Sequence, residues 1–128
     1  MRVFKTKTFA RWARKERIDD SWLAAAVAQM RQGLVDARLG GNLLKKRVAR
    51  PGAGKSGGYR TFVASDQRDR WIFMYGFAKK DRDDLDDDEL DDLKRTAQAL
   101  LAMGEETVQQ ALSAGELREI DHGESQAS

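Results

Sequence analysis

Six cations, Lys45, Lys46, Arg47, Arg50, Lys55 and Arg60, fall within sixteen residues of one another, and Lys79 and Lys80 close the most strand-like segment of the chain. Such donors suit phosphate recognition: arginine binds a phosphate bidentately and lysine acts as a mobile point charge. Tyr75 and Phe77, in the segment ending at Lys80, can offer rings to nucleobases, although a central strand ordinarily buries its aromatics. With one His and no Cys, the sequence excludes a disulfide framework, a thiolate zinc site, a cysteine nucleophile and two-histidine ribonuclease chemistry. Any catalysis therefore runs on Lys, Arg, Tyr, Ser or carboxylates.

Two other motifs invite chemistry and fail on spacing. Gly54-Lys55-Ser56 resembles the end of a nucleotide-binding loop, but the position of its first glycine is Ala49, and a strand-like YRTFVAS follows where a helix N-terminus is required. The segment Asp81 to Asp92 holds nine carboxylates in twelve residues, yet Leu85 and Asp86 stand where a calcium loop needs a ligand and a glycine. It reads instead as a helix N-terminal turn, with carboxylates facing the positive end of the helix dipole. No metal and no cofactor is expected, and His122 reads as a surface residue.

Charge is segregated along the chain. Residues 1–80 carry 19 Lys and Arg against 6 Asp and Glu, and residues 81–128 carry 4 against 15, so a net charge of +2 conceals a basic two-thirds and an acidic remainder. The basic part points to a polyanionic partner. At 128 residues, 41% hydrophobic and 34% charged, the chain reads as one soluble domain over 1–128. Residues 122–128 are expected to be a frayed tail. No run of about 18 apolar residues occurs, so no membrane association is expected, and the location read from the sequence is cytoplasmic.

The elements that must position these residues follow from periodicity. Arg2 to Lys5 reads as an edge strand, and Thr8 as the cap of a helix over about 9–17. Asp20 or Ser21 caps a second helix with Trp22, Leu23, Ala26, Val27, Met30 and Leu34 on one stripe. Ala37 to Gly41 reads as a connector, Leu43 to Ala49 as a strand, and Arg50 to Gly58, with the only Pro and four Gly, as a loop. Tyr59 to Ser65 and Arg70 to Lys80 form an antiparallel hairpin about a polar turn, with Trp71, Phe73, Tyr75, Phe77 and Lys79 on one face and Ile72 and Met74 on the other. Asp86 and Glu89 make a capping box for a helix to Met103, stopped by Gly104. A short helix over Thr107 to Ala114 and a strand over Glu116 to Ile120 complete an α+β domain with a mostly antiparallel sheet.

The stretch LLKKRVARPGAGKSGGYRTFVAS, followed by RWIFMYGFAKKDRDDLDDDELDDLKRTAQALL, resembles the RelE-like toxins of toxin-antitoxin systems, in particular the HigB-like branch; the resemblance covers about residues 3–120. GKSGGYR, the strand closing in YGFAKK, the helix with an acidic cap and the AGELREI ending carry it. The resemblance implies a compact microbial-RNase-like RelE fold: a curved antiparallel sheet packed on two N-terminal helices, with one or more C-terminal helices. It implies metal-independent, ribosome-dependent cleavage of mRNA by Lys, Arg and sometimes Tyr. It further implies neutralisation by a cognate antitoxin, often a helix-turn-helix protein, and operator DNA contacted only through the toxin-antitoxin complex. By match to the family's basic strand-start position, Arg60 is expected to stabilise the transition-state phosphate. Lys55 and Lys79 are expected as phosphate contacts or proton-transfer groups, a lysine crowded by cations being suited to act as base. Lys45, Lys46, Arg47, Arg50, Tyr75 and Lys80 are expected to bind and orient RNA. The alternatives are a toxin of the same fold with a non-RNase target such as gyrase, and a non-catalytic nucleic-acid-binding protein.

Overall fold

A strand that is apolar on both sides needs cover on both faces of its sheet, and the chain supplies that cover from its two ends. The computed structural model of the protein describes residues 1–50 and 57–122. Its elements run β1 (Arg2–Thr6), α1 (Lys7–Lys15), α2 (Asp20–Arg31), β2 (Ala37–Gly40), β3 (Leu43–Val48), β4 (Tyr59–Ser65), β5 (Arg70–Ala78), α3 (Asp87–Ala102), α4 (Glu105–Ser113) and β6 (Leu117–Ile120). The strands form one sheet in the order β2-β3-β4-β5-β1-β6. Among the described strands only the β1/β5 pair is parallel. The expected α+β class and mostly antiparallel sheet are what is observed. No described helix is long and apolar enough to cross a membrane.

Two apolar clusters sandwich the sheet. Phe9, Ala13, Leu23, Val27 and Met30 of the N-terminal helices pack on Leu44, Val63, Trp71 and Phe73. On the other face Leu90, Leu93, Ala97, Leu100 and Val108 of α3 and α4 pack with Leu43, Phe62, Ile72, Met74 and Phe77. Burying a large apolar side chain contributes about 1.5–3 kcal/mol, so these two layers dominate the stability.

Several local expectations are corrected. β1 is not an edge strand: it lies between β5 and β6, because Val3 and Phe4 are apolar toward opposite faces and both fully buried. α1 begins earlier, with Thr6 rather than Thr8 as cap, its hydroxyl accepting the Phe9 N–H at 3.1 Å. α2 is preceded by Asp19 at the cap position and stops at Arg31, and Gly33 with φ 92° turns the chain so that Leu34 is 57% exposed instead of continuing the stripe. Ala37 to Gly40 is a strand, paired with β3 through a turn in which Gly41 and Asn42 take φ of 61° and 63°. The capping box of α3 forms as read, Asp86 accepting from Glu89 N–H at 2.8 Å and Glu89 from Asp86 N–H at 3.0 Å. Gly104 then starts α4 as well as stopping α3. His122, placed in the tail by the sequence, has Nε2 3.1 Å from the Met1 carbonyl oxygen. Residues 123–128 lie outside the described residues.

The largest departure is in β5. Phe62 faces Tyr75 but the next residue, Val63, faces Phe73, so Met74 is an extra residue on β5. This bulge resets the alternation. Trp71 and Phe73 face α1 and α2, whereas Tyr75 and Phe77 join Ile72 and Met74 on the α3 side. Thr6 secures the bulge, donating its hydroxyl to the Met74 carbonyl at 3.3 Å. Beyond it Gly76 faces α1 and seats the Trp12 ring: a Cβ there would lie 2.3 Å from Trp12 Cζ3. We expect Gly76→Ala to destabilise the protein by about 1–3 kcal/mol through overpacking, read as a lower urea midpoint; an unchanged midpoint would show that the Trp12 seat is not tight.

A cationic face as the candidate functional site

Because of the bulge, two cross-strand rows on the α3 side combine rings with cations. One is Lys45–Phe62–Tyr75 and the other is Arg47–Arg60–Phe77. Directly opposed residues of an antiparallel pair share a face. The three rings have centroids 5.7–6.3 Å apart. Arg47 and Arg60 stand opposite each other, a like-charge pairing that costs stability unless an anion is present.

Arg60 is the most telling of these. Its Nη1 lies back toward Gly58, 3.9 Å from where a Cβ on that glycine would sit. Among the described residues Nη1 is buried without a hydrogen-bond partner, a condition shared only by Trp71 Nε1 inside the core. A buried N–H without an acceptor costs about 1–3 kcal/mol, more when charged. Opposite Gly58, the exposed Lys79 donates its backbone N–H to the Gly58 carbonyl at 3.1 Å, so Arg60 and Lys79 converge on the same end of the hairpin.

The other expected residues divide. Lys45 belongs to the face, its Nζ 3.2 Å from Asp84 Oδ2. Arg47 is exposed, its backbone N–H held by the Asp36 carboxylate at 2.7 Å. Tyr75 is half-buried and stands at the boundary of two clefts, of about 440 and 180 Å³. Lys46 is not part of the face: it turns toward α2, 7% exposed, and its Nζ donates to the Leu34 carbonyl at 3.0 Å. Alternation makes this unavoidable, since its neighbours Lys45 and Arg47 face the other way. Arg50 and Lys80 also sit apart, lining a small depression with Glu16, Gly58, Tyr59 and Ala78 at the C-terminal end of α1. There burial raises the Tyr59 hydroxyl, an effect opposed by the charge of Arg50. Lys55 lies outside the described residues.

Sequence reasoning missed Arg82, Asp84 and the second role of Glu89. Arg82, the one cation in the acidic run, lies over the Phe77 ring at 5.2 Å. Its Nη1 donates to Glu89 Oε2 at 2.9 Å and its Nη2 to Glu89 Oε1, while Nε and Nη2 donate to the Asp84 carbonyl at 3.2 and 2.9 Å. The bidentate pair with Glu89 holds Arg82 above its ordinary value. Asp84 is held below its own, first by the Leu85 N–H and, against the penalty of desolvation, by Lys45 and the charge of Arg60. The signal for this staple was available: one arginine stands among nine carboxylates, and arginine pairs bidentately with a carboxylate.

Chemically, the face offers an anion-seeking guanidinium flanked by further cations, with rings beside it. A family model described as the RelE toxin of the RelE / RelB toxin-antitoxin system matches residues 1–120. No curated protein matches the chain.

The Arg82 pair and the capping contact together lower Glu89 from its ordinary 4.5 to about 2. A carboxylate depressed on folding contributes stability above its unfolded value and loses it as pH falls through the folded one. Glu89→Gln should therefore melt below wild type by a constant interval above pH 4.5 that closes between pH 4.5 and 2. An interval unchanged down to pH 2 in thermal denaturation would count against the pair.

Proposed function

Since the chain belongs to the RelE toxin family and is the toxin of a toxin-antitoxin system with a cognate antitoxin as partner, we propose that it is a metal-independent mRNA endoribonuclease of the HigB-like branch. In this reading it acts on the ribosome in the cytoplasm, inhibits translation, and is neutralised by a helix-turn-helix antitoxin whose complex with it contacts operator DNA. The observation that carries the reading is the buried, unpartnered Nη1 of Arg60 within a row of cations. With the guanidinium turned outward from Gly58, a phosphate oxygen supplies the missing acceptor and relieves the Arg47/Arg60 opposition at once.

The reaction needs no group from outside the nucleic acid and the protein. The 2′-oxygen of one ribose attacks the adjacent phosphorus, the bond to the 5′-oxygen breaks, and a 2′,3′-cyclic phosphate and a 5′-hydroxyl result. Arg60 stabilises the charge that accumulates on the phosphorane, the term that contributes most to such catalysis. Lys79, with Lys55, contacts the phosphate or moves a proton; Lys45 and Arg47 track the backbone, and Tyr75 orients a base beside its ring. Arg50 and Lys80 lie off this track and would meet RNA only farther along the strand.

We expect Arg60→Ala to abolish growth arrest on induction in a bacterial host and to remove the new mRNA 5′ ends that the wild type generates, with the melting temperature unchanged or raised because a buried unpaired donor is lost. Losing one such electrostatic donor costs about 10²–10³-fold in rate. Growth arrest without new 5′ ends would move the target away from mRNA.

A further inference from the structure

The attacking 2′-hydroxyl must give its proton to an acceptor, and a carboxylate is a ready one at neutral pH. Of the described carboxylates that border the face, Glu89 is consumed by Arg82 and the helix cap, and Asp36 is bound to the Arg47 backbone N–H at the outer edge. Asp84 stands beside Lys45 and Arg60, and three contacts fix it. Its Oδ1 accepts the Leu85 N–H at 2.9 Å, its Oδ2 meets Lys45 Nζ at 3.2 Å, and its backbone carbonyl is clamped by Arg82. The side chain is nevertheless 59% exposed, so Oδ2 retains a lone pair open to solvent and substrate. Arg60, assigned above to the phosphate, is close enough for its charge to act on Asp84.

Resting on the endoribonuclease reading, we propose that Asp84 is the general base of the reaction and Lys45 its paired acid. Asp84 Oδ2 takes the proton of the attacking 2′-hydroxyl as the 2′-oxygen bonds to phosphorus. Lys45 gives a proton to the 5′-oxygen as its bond to phosphorus breaks. The protonated Asp84 then returns its proton to the neutral Lys45 amine across their existing contact, so both groups end as they began and no proton is gained or lost. A carboxylate and an ammonium already in contact make this return a single short transfer. The run of carboxylates thus has a member that works on the substrate, distinguished by its contact with Lys45 on β3.

The test is single-turnover cleavage of ribosome-bound mRNA, together with binding to the same complex bearing a 2′-deoxynucleotide at the mapped cleavage position. Asp84→Asn keeps an oxygen for the Leu85 N–H and so leaves the loop in place. It should lower the cleavage rate by about 10²-fold or more, the usual size of a general-base contribution. Binding of the deoxy complex should be unchanged or tighter, because a negative charge near the phosphate has gone. Asp84→Glu should recover part of the rate. A variant Asp84→Asn that cleaves as fast as wild type overturns the assignment, as does one whose loss in rate is matched by its loss in binding, which would make Asp84 only a brace for Lys45. A wild-type protein that binds but does not cleave overturns this assignment and the endoribonuclease reading together.

Discussion

The structure turns on a single inserted residue in the central strand. Met74 has no partner on β4, and were it paired in an unbroken alternation, Tyr75 and Phe77 would continue the face begun by Trp71 and Phe73. They would then point into the layer under α1 and α2, where Trp12 already occupies the space over Gly76. The bulge thus satisfies two demands at once. It leaves room for the indole of α1 and turns two rings toward the side that carries Lys45, Arg47 and Arg60. The Thr6 hydroxyl, which both caps α1 and binds the Met74 carbonyl, couples the start of the helix to the position of the bulge.

Ion pairs organise the opposite side without supplying much of its stability. Exposed pairs contribute about 0–1 kcal/mol each, far less than the apolar layers above and below the sheet. Their effect is geometric: Arg82 with Glu89 closes the segment between β5 and α3 into a tight loop, and Asp84 at its apex meets Lys45 on β3. The acidic remainder of the chain thereby neutralises a small, chosen part of the basic two-thirds and, among the described residues, leaves Arg60 and Arg47 without a salt bridge. Arg70, at the far end of β5, fastens the other end of α3 by donating to the Leu100 and Met103 carbonyls at 3.1 and 2.8 Å.

Much of this was legible in the residues. The hairpin of β4 and β5, the capping box at Asp86 and Glu89, the stop at Gly104 and the basic cluster on neighbouring strands follow from local rules that tertiary packing did not override. Period-two alternation fails to announce a bulge, because Met74 and Tyr75 are each compatible with either face, and so the side to which Tyr75 and Phe77 belong could not be read. The same rule did contain the correct placement of Lys46, whose immediate neighbours could not share its face, but counting cations by proximity in sequence concealed it. β2 was missed because a four-residue strand bounded by glycines has no periodic signal. β1 was misplaced because two adjacent buried residues say that both faces are covered and not which strands flank them.

The order of strands also bears on how the protein comes to exist. β1, the first strand of the chain, pairs with β5 through contacts such as Val3 with Trp71, and with β6 through contacts such as Val3 with Ile120. Neither neighbour is available until most of the chain has been synthesised, and such long-range pairings are slow to form. The hairpin that carries Arg60 can assemble locally, but its anchoring against β1, and with it the Thr6 contact that fixes the bulge, must wait. A nascent chain is therefore without its anchored bulge until synthesis has passed β5, more than halfway along the sequence, and β1 gains its second neighbour only once β6 follows.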